Sequence, residues 1–391
     1  MSIQSPNESG LNAYVDSGLQ ARGVADAGGD HASVWKYNTS NVFQWSWDHG
    51  GDSVAVCADA SYVYVTNGTR IWKLDASDAS EEWSYQHNSA IRSLCVDGSG
   101  NVYFGSVAIA VNDYDVLFKL NSSGVKQWGW NDYPYQLYGW PMPPTSMFIT
   151  EVSGTTWDTD GVIIGGTAVD AEYYGGFLDR GYVLFKIDAS GSTMFEGEGS
   201  ISGGQYNPND VFGRKVAASG GLYYCTPGTR FDGYYASTTE HDAAGDWRYT
   251  GALHHSLGVF RASDVVIPSN LFACGPNQSA YDYDTEGYEY ANLVEHTVPW
   301  TGDKTDSFVD LYSVQYDGDR LSFASMVNVG AALFLGATDA YGEPNLVQTN
   351  LSGTIQWCAV CAPVYDVCAN GTSVYYAGKR SVLTTPTVLY P

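Results

Sequence analysis

The amino-acid sequence predicts an all-β fold, a seven-bladed β-propeller built from four-stranded antiparallel blades. Three observations predict it: a short phrase that recurs along the chain, a second hairpin ahead of most copies, and half-units at the two ends of the repeating region that complete each other. A unit that repeats every few tens of residues is the signature of an array or a closed ring of repeated structures.

The recurring phrase reads Lys, an apolar residue, Asp or Asn, two mostly small residues, Gly or Asn, three variable residues and an aromatic residue; Glu240 and Gln348 replace the Lys in two copies. Around the Lys, apolar and polar residues alternate as in a half-buried strand. The Asp/Asn-x-Ser-Gly core supplies side-chain acceptors and a residue that tolerates positive φ, which a tight turn needs. Each copy therefore predicts a β-hairpin. The copies span residues 36–45, 73–83 (with one extra residue), 119–128, 186–195, 240–249 and 348–357.

A second predicted hairpin precedes most copies of the phrase. Its two strands are short apolar or Tyr-rich runs separated by a turn, and two hairpins in succession make the four-stranded antiparallel blade of a β-propeller. The strand pairs are 54–57 with 62–65, 94–96 with 102–104, 216–218 with 222–224, and 367–369 with 374–376.

The two ends of the repeating region predict a closed ring. Residues 365–379 supply only a first hairpin and residues 33–47 only a second, so that joined they make one blade and leave no open sheet edge. No clean copy of the phrase occurs between Gly258 and Asp319. The other six blades are predicted at about 52–87, 90–130, 143–199, 213–250, 258–316 and 320–360.

This pattern resembles the quinoprotein-type (PQQ-like) β-propeller repeat, in which a Tyr-rich strand pair is followed by Lys-Leu-Asp-x-x-Gly and a Trp. The resemblance covers roughly residues 33–383. It implies the propeller fold, and because propellers carry many unrelated functions it implies no particular activity.

Composition limits the classes of partner. The chain has 391 residues, with 43 acidic against 18 basic side chains and a net charge of −25. This charge argues against nucleic acid and against insertion into an anionic membrane, and it favours a cationic partner or bound divalent cations. We expect no cofactor, with calcium as the alternative. Residues 282–287 begin like an EF-hand loop, but Leu293 stands at the twelfth position, where a bidentate Glu is needed.

The N-terminal residues and the cysteines predict synthesis in a reducing cytoplasm. Residues 1–10 show neither the basic nor the apolar region of a secretion signal. Cys57, Cys95 and Cys368 occupy the same position in three blades, too far apart to pair, and are predicted to be small buried residues. For Cys358-x-x-Cys361, a strand with its following loop is favoured over a redox or metal pair.

The chain is divided into an N-terminal arm, residues 1–32, and the propeller, residues 33–391. The arm is polar, rich in Gly and Ala, and contains no convincing strand. It is interpreted either as a flexible tail or as a segment that docks on a neighbouring subunit.

One face of the predicted ring carries the candidate binding site. Since strands within a blade alternate in direction, the short turns fall on one face and nearly all the insertions on the other. These insertions combine aromatic residues with carboxylates and amides, which suits a glycan or a protein surface, although the aromatics could instead pack the loops onto the ring. The candidate residues are Tyr133, Tyr135, Tyr138, Trp140, Tyr173, Tyr174, Phe177, Tyr206, Tyr234, Tyr235, Tyr281, Tyr283 and Tyr288.

The sequence contains no P-loop, no Gly-x-Ser-x-Gly motif and no His-Glu-x-x-His motif. Three functional hypotheses remain. The first is a non-enzymatic structural or interaction protein anchored by residues 1–32 to other subunits, which we expect to be a tailed-phage virion component (capsid decoration, fibre or tail-associated) touching a glycan or host-surface protein. The second, implied by the resemblance, is a PQQ-dependent dehydrogenase, although the adjacent cysteine pair of its alcohol-oxidising branch is missing. The third is a free, carbohydrate-binding, lectin-like propeller.

Overall fold

The computed structural model describes most of the chain from residue 31 onward, and residues 1–32 fall almost entirely outside the described part. The described residues are 31–108, 115–131, 147–170, 179–199, 215–219, 222–225, 229–231, 234–241, 247–252, 254–255, 258–260, 264–268, 271–279, 289–296, 309–315, 323–337, 345–360, 362–382 and 387–389.

Every regular element of these residues is a β-strand, which confirms the predicted all-β class. In the first half of the chain the strands are β1 His31–Asn38, β2 Phe43–Trp47, β3 Ala55–Ala58, β4 Tyr62–Thr66, β5 Arg70–Asp75, β6 Glu81–Gln86, β7 Ile91–Val96, β8 Val102–Ser106, β9 Leu117–Leu120, β10 Lys126–Trp130, β11 Met147–Asp158, β12 Gly161–Asp170, β13 Asp179–Asp188 and β14 Thr193–Gly199. In the second half they are β15 Val216–Ser219, β16 Leu222–Cys225, β17 Thr229–Phe231, β18 Tyr234–His241, β19 Trp247–Ala252, β20 His254–His255, β21 Gly258–Phe260, β22 Asp264–Val266, β23 Leu271–Ser279, β24 Glu289–His296, β25 Val309–Gln315, β26 Phe323–Val329, β27 Ala332–Ala337, β28 Leu346–Asn350, β29 Ile355–Val360, β30 Val364–Asn370, β31 Ser373–Val382 and β32 Thr387–Leu389.

The described strands pair into antiparallel sheets, which we number 1 to 7. Four of them have the predicted four strands: sheet 1 is β3–β4–β5–β6, sheet 2 is β7–β8–β9–β10, sheet 3 is β11–β12–β13–β14, and sheet 7 is β30–β31–β1–β2. In sheet 7 the register places Trp35 of β1 opposite Tyr376 of β31. The first and last parts of the described chain thus share one sheet.

Three sheets carry more strands than predicted. Sheet 4 (β15–β19) has five, sheet 5 (β20–β25) has six, and sheet 6 (β26–β29) gains β32 at its outer edge. In sheet 5 the nine-residue β23 is long enough to pair with β22 through one half and with β21 through the other. These additions extend the four-stranded pattern without replacing it.

The recurring phrase forms the same bulged hairpin in all six copies. The first residue of each copy pairs with its aromatic residue, as Lys36 pairs with Trp45 and Gln348 with Trp357. In every copy the register shifts next to this pair, so the hairpin carries a β-bulge. In the turn, Asp188 Oδ1 accepts hydrogen bonds from the backbone N–H groups of Ser190 (2.8 Å) and Ser192 (2.9 Å). The turn residues named from the sequence therefore close the hairpin as expected.

The hydrophobic core lies between neighbouring sheets, in separate clusters. Tyr64 and Phe104 belong to the cluster between sheets 1 and 2, and Tyr103 and Phe185 to the cluster between sheets 2 and 3. Further clusters lie between sheets 3 and 4, 5 and 6, 6 and 7, and 7 and 1. Sheets 1, 2, 3, 6 and 7 thus bury both faces against their neighbours, and the apolar stabilisation is spread over these junctions.

One edge strand of each sheet lies against the corresponding strands of its neighbours. β3 contacts β7 and β30, β7 contacts β11, β11 contacts β15, β15 contacts β22, β22 contacts β26, and β26 contacts β30. This radial arrangement of antiparallel sheets is that of a β-propeller. No helix that could cross a membrane occurs in the described part of the chain.

Candidate functional site

The predicted aromatic face falls largely outside the described residues. Of the thirteen candidates, only Tyr234 and Tyr235 are described, and they begin β18, opposite Phe231 and Arg230 of β17. The other candidates, which lie outside the described residues, are Tyr133, Tyr135, Tyr138, Trp140, Tyr173, Tyr174, Phe177, Tyr206, Tyr281, Tyr283 and Tyr288. The binding face therefore stays a prediction.

The described residues reveal what the Lys and the aromatic residue of the phrase do. Lys36 Nζ and Trp45 Nε1 of sheet 7 both donate hydrogen bonds to the backbone carbonyl of Ala76 in sheet 1, at 2.6 and 3.0 Å. Ala76 directly follows the turn aspartate of its own phrase. We call this pair of donors on one carbonyl of the next sheet the inter-sheet clamp.

The inter-sheet clamp repeats at the next two junctions. Lys73 and Trp83 of sheet 1 donate to the carbonyl of Ser122 in sheet 2, at 3.1 and 3.0 Å.

Sheet 2 binds sheet 3 in the same way. Lys119 and Trp128 donate to the carbonyl of Ala189, at 2.7 and 3.2 Å. The spacing of Lys and Trp in the phrase is thus the spacing that brings both donors to one acceptor.

A tyrosine on the neighbouring strand completes each clamp. Tyr375, Tyr64 and Tyr103 pair across the sheet with Lys36, Lys73 and Lys119 respectively, and each ammonium lies 5.4–5.8 Å from its ring centroid. At this distance the ring face attracts the cation. Burial lowers the pKa of Lys36 and of Lys73, because desolvation disfavours the charged form.

The junction between sheets 3 and 4 has different contacts, centred on the ammonium group of Lys186. Lys186 Nζ lies 2.9 Å from Asp158 Oδ2, 2.7 Å from Asp160 Oδ1 and 3.3 Å from the Tyr223 hydroxyl. Phe195, which has no N–H group, takes the place of the Trp. Burial lowers the pKa of Lys186, but the bonds to Asp160, Asp158 and Tyr223 outweigh it, and the net shift is upward.

A polar network links the edge strands of four sheets. Asp366 on β30 accepts hydrogen bonds from Ser325 Oγ on β26 (2.8 Å) and the Val56 N–H on β3 (2.8 Å). Lys215, directly before β15, reaches the same carboxylate at 2.6 Å. The Asp366 side chain is 7% exposed and that of Lys215 is 29% exposed, so this ion pair has a nearly buried, hydrogen-bonded carboxylate and a partly buried ammonium. We call these contacts the axial network. No sequence pattern indicated it, since its members lie far apart along the chain.

The prediction of small buried residues is confirmed for Cys57 and Cys95 and in part for Cys368, whereas Cys361 of the Cys358-x-x-Cys361 pair lies outside the described residues. Cys57 and Cys95 are buried and Cys368 is partly buried, and their thiols form no disulfide. Burial raises the pKa of Cys95 to about 12 and those of Cys57 and Cys368 well above the ordinary range. Such thiols are poor nucleophiles and poor metal ligands. Within the described residues, no group of three or more His, Cys, Asp or Glu side chains is arranged to hold a metal ion.

Comparison with known proteins shows that this chain is similar to them in fold. No protein-family model matches the sequence. A stretch of 110 residues, 28% of this chain, is 27% identical to a probable xyloglucan-specific endo-β-1,4-glucanase A from Aspergillus terreus and spans 39% of that protein. The chain thus matches well under two thirds of this relative's length.

Solved structures are similar over most of the chain at low identity. The extracellular domain of a putative one-component system from B. thetaiotaomicron has a TM-score of 0.50 at 11% identity, over 85% of this chain and 38% of that one. BamB from Moraxella catarrhalis has a TM-score of 0.48 at 14% identity, over 93% and 97%. The Pan2 WD40 domain of Neurospora crassa has a TM-score of 0.42 at 10% identity, over 93% and 99%. With the sheet topology, the likeness at 0.50 supports a β-propeller repeat protein and says nothing of activity.

Proposed function

We propose that this protein is a non-enzymatic interaction protein, a closed seven-bladed β-propeller that presents the insertion loops of one face to a partner. The observation that carries the proposal is the inter-sheet clamp. At three successive junctions the Lys and Trp of the phrase, its most chemically distinctive residues, are used to hold sheets together. A rigid scaffold that carries variable loops is a common platform for recognition.

Two features support the closed ring. The contacts between edge strands return to their starting point, from β30 through β3, β7, β11, β15, β22 and β26 back to β30. In addition, the Arg380 guanidinium, after the centre of β31, makes a bidentate ion pair with Asp48, just after β2, at 2.7–3.0 Å. Both features join the beginning of the ring to its end.

The strand directions support two unlike faces. The short turns at 97–101, 121–125, 188–192 and 350–354 join strands at one end of their sheets. The longer segments 132–146, 171–178 and 280–288 leave from the opposite ends, after β10, β12 and β23. Most of the predicted aromatic residues belong to these segments, so the loop face is the proposed binding face. Its ligand (a glycan or a host-surface protein) and the anchoring of residues 1–32 in a virion are predictions from the sequence.

The proposal is tested with the full-length chain on a glycan array that includes xyloglucan oligosaccharides, with purified phage-like particles as a second partner. We expect saturable binding that Trp140→Ala and Tyr174→Ala each weaken about tenfold or more, in line with a contact worth about 1.4 kcal/mol. Val125→Ala, an exposed apolar change on the short-turn face, is the matched control and should leave binding unchanged.

Enzymatic activity would contradict the proposal. The same preparation is assayed for dye reduction with added quinone, calcium and alcohols or sugars, and for release of reducing sugar from xyloglucan. Turnover in either assay that the loop variants abolish would make the protein an enzyme, whereas binding without turnover is the expected result.

A further inference from the structure

The junction between sheets 6 and 7 keeps the form of the inter-sheet clamp without its cation. In sheet 6, Phe334, Gln348 and Trp357 pair across three adjacent strands, in the register that Tyr64, Lys73 and Trp83 have in sheet 1. Gln348 therefore stands where the clamp has a lysine. Its side chain is shorter than that of lysine and carries no charge.

Within the described residues of this junction, no clamp donor is hydrogen-bonded to the acceptor carbonyl. The carbonyl that corresponds to Ala76, Ser122 and Ala189 is that of Thr39 in sheet 7. Gln348 Oε1 instead accepts a hydrogen bond from Asn41 Nδ2. Trp357 is 2% exposed, and its Nε1–H has no hydrogen-bond partner among the described residues. A buried donor without a partner is costly, so this junction is incompletely satisfied as it stands.

An open groove occupies the place of the missing lysine. It has a volume of about 350 Å³, and Gln348 and Thr39 lie on its walls together with Ala332, Asn350 and Gln356. Three wall residues, Thr39, Ala331 and Gly371, lie in the short turns after β1, β26 and β30, so the groove lies on the short-turn face, away from the predicted aromatic loops.

We propose that this groove binds a primary ammonium group, the side chain of a lysine on a partner protein. The ammonium donates to the Thr39 carbonyl, as Lys36, Lys73 and Lys119 donate to the corresponding carbonyls at three other junctions. Its alkyl stem lies along Val329 and Ala332. The net charge of −25 draws a basic partner to the surface. The site is independent of the loop face, so its success or failure does not decide the proposed function.

The test uses Nα-acetyl-lysine N-methylamide as the probe and Nα-acetyl-norleucine N-methylamide, which keeps the stem and lacks the ammonium, as the comparison. Binding to the full-length chain is measured by ligand-observed NMR titration. We expect the lysine probe to bind at about millimolar concentration and the norleucine probe to bind at least about tenfold more weakly, as expected for the loss of one charge-assisted hydrogen bond.

Two substitutions fill the groove in different ways. Gln348→Lys supplies the chain's own ammonium, and Ala332→Leu occupies the space without a charge; each should abolish binding of the lysine probe. Gln127→Lys, which adds the same charge at an exposed position of sheet 2, is the matched control and should bind the probe like the wild type. Melting temperatures confirm that the variants are folded, and Gln348→Lys should raise the melting temperature by completing the clamp.

The proposal is overturned if the wild type binds both probes equally or binds neither. It is also overturned if folded Ala332→Leu and Gln348→Lys bind the lysine probe as the wild type does. A probe that binds through general charge attraction would bind Gln127→Lys more weakly as well, and that result would likewise contradict a site in this groove.

Discussion

The glycine of the phrase meets two constraints at one residue. Gly124 and Gly191 have φ of +78° and +93°, a left-handed conformation that other residues adopt only with strain. The same residues lie beneath the indole of the preceding sheet: a Cβ on Gly124 would lie 2.8 Å from Trp83 Cδ2. Asn41, with φ of +61°, takes this place in sheet 7, because asparagine tolerates the left-handed region. The turn geometry and the packing between sheets thus both favour glycine at this position of the phrase.

Gly124→Ala should destabilise the protein by about 1–3 kcal/mol, because the new methyl group must both adopt a positive φ and displace Trp83. Urea unfolding followed by tryptophan fluorescence measures the change. Gly371→Ala is the matched control, since Gly371 also has a positive φ, of +53°, and a Cβ there meets open space. Equal effects of the two substitutions would show that the indole does not rest on Gly124.

The buried thiols give a second prediction for individual residues. Because burial raises the pKa values of Cys57 and Cys95, almost no thiolate forms, and both should resist iodoacetamide at about pH 8 in the native protein. Mass spectrometry should find both alkylated in urea. Rapid labelling of either thiol without denaturant would contradict the burial described for the two sheets.

The hairpin that carries the phrase joins sheets through its side chains. Its bulge lets the Lys and the Trp stand opposite each other, so that both reach one carbonyl of the next sheet. The turn therefore serves twice, closing its own hairpin and accepting the clamp of the hairpin before it. This double use accounts for the fixed spacing of Lys and Trp in the three copies that form a clamp.

Lys73→Met should cost about 1–3 kcal/mol of folding stability, because it keeps the stem and removes the ammonium that donates to Ser122 and lies 3.6 Å from the Tyr62 ring centroid. Chemical denaturation provides the measurement. Lys379→Met, at an exposed lysine of β31, is the control and should have a smaller effect. If both variants unfold alike, the clamp contributes no stability.

The strands and hairpins could be predicted where a pattern of neighbouring residues encodes them. The alternation around Lys36 or Lys186 and the Asx turns at Asn121 and Asp188 are local, and the hairpins formed there as predicted. The extra strands of sheets 4, 5 and 6 were missed, since β21 and β32 are three residues long and too short for a periodic pattern. The clamp itself was missed because its acceptor is a backbone carbonyl, which no side-chain pattern marks.

The molecule as a whole is held together by contacts between residues far apart in sequence. Lys215 and Asp366 of the axial network are separated by 151 positions, and Arg380 and Asp48 by 332. Pairs at such separations leave no trace in a single sequence, so neither could be predicted. The sequence did indicate that the hairpins at the two ends of the repeating region complete one sheet, and they pair through β1 and β31.

The Arg380–Asp48 ion pair should make the folding stability fall as the pH becomes acidic. The side-chain hydrogen bonds from Arg380 lower the pKa of Asp48, against an opposing effect of burial. Because the folded-state pKa lies below the unfolded-state value, the pair contributes stability above the unfolded pKa, and that contribution is lost as the pH falls through the folded pKa. Asp48→Asn should therefore melt below the wild type at neutral pH and approach it toward about pH 3.

Melting curves across this range check the effect, with Glu81→Gln, an exposed carboxylate of β6, as the control. A difference between wild type and Asp48→Asn that stays constant with pH would mean that the ion pair does not form.

The most direct test of the account is a cross-link between the two halves of sheet 7. Ala32 of β1 and Ser381 of β31 are paired residues, so Ala32→Cys with Ser381→Cys should oxidise to an intramolecular disulfide without movement of the backbone. Peptide mapping by mass spectrometry should find this bond in most native molecules. In Ala32→Cys with Ser373→Cys, at the other end of β31 and about 26 Å along the strand, the bond should be missing. Equal cross-linking of the two pairs, or none in either, would contradict a ring closed by a sheet shared between its first and last strands.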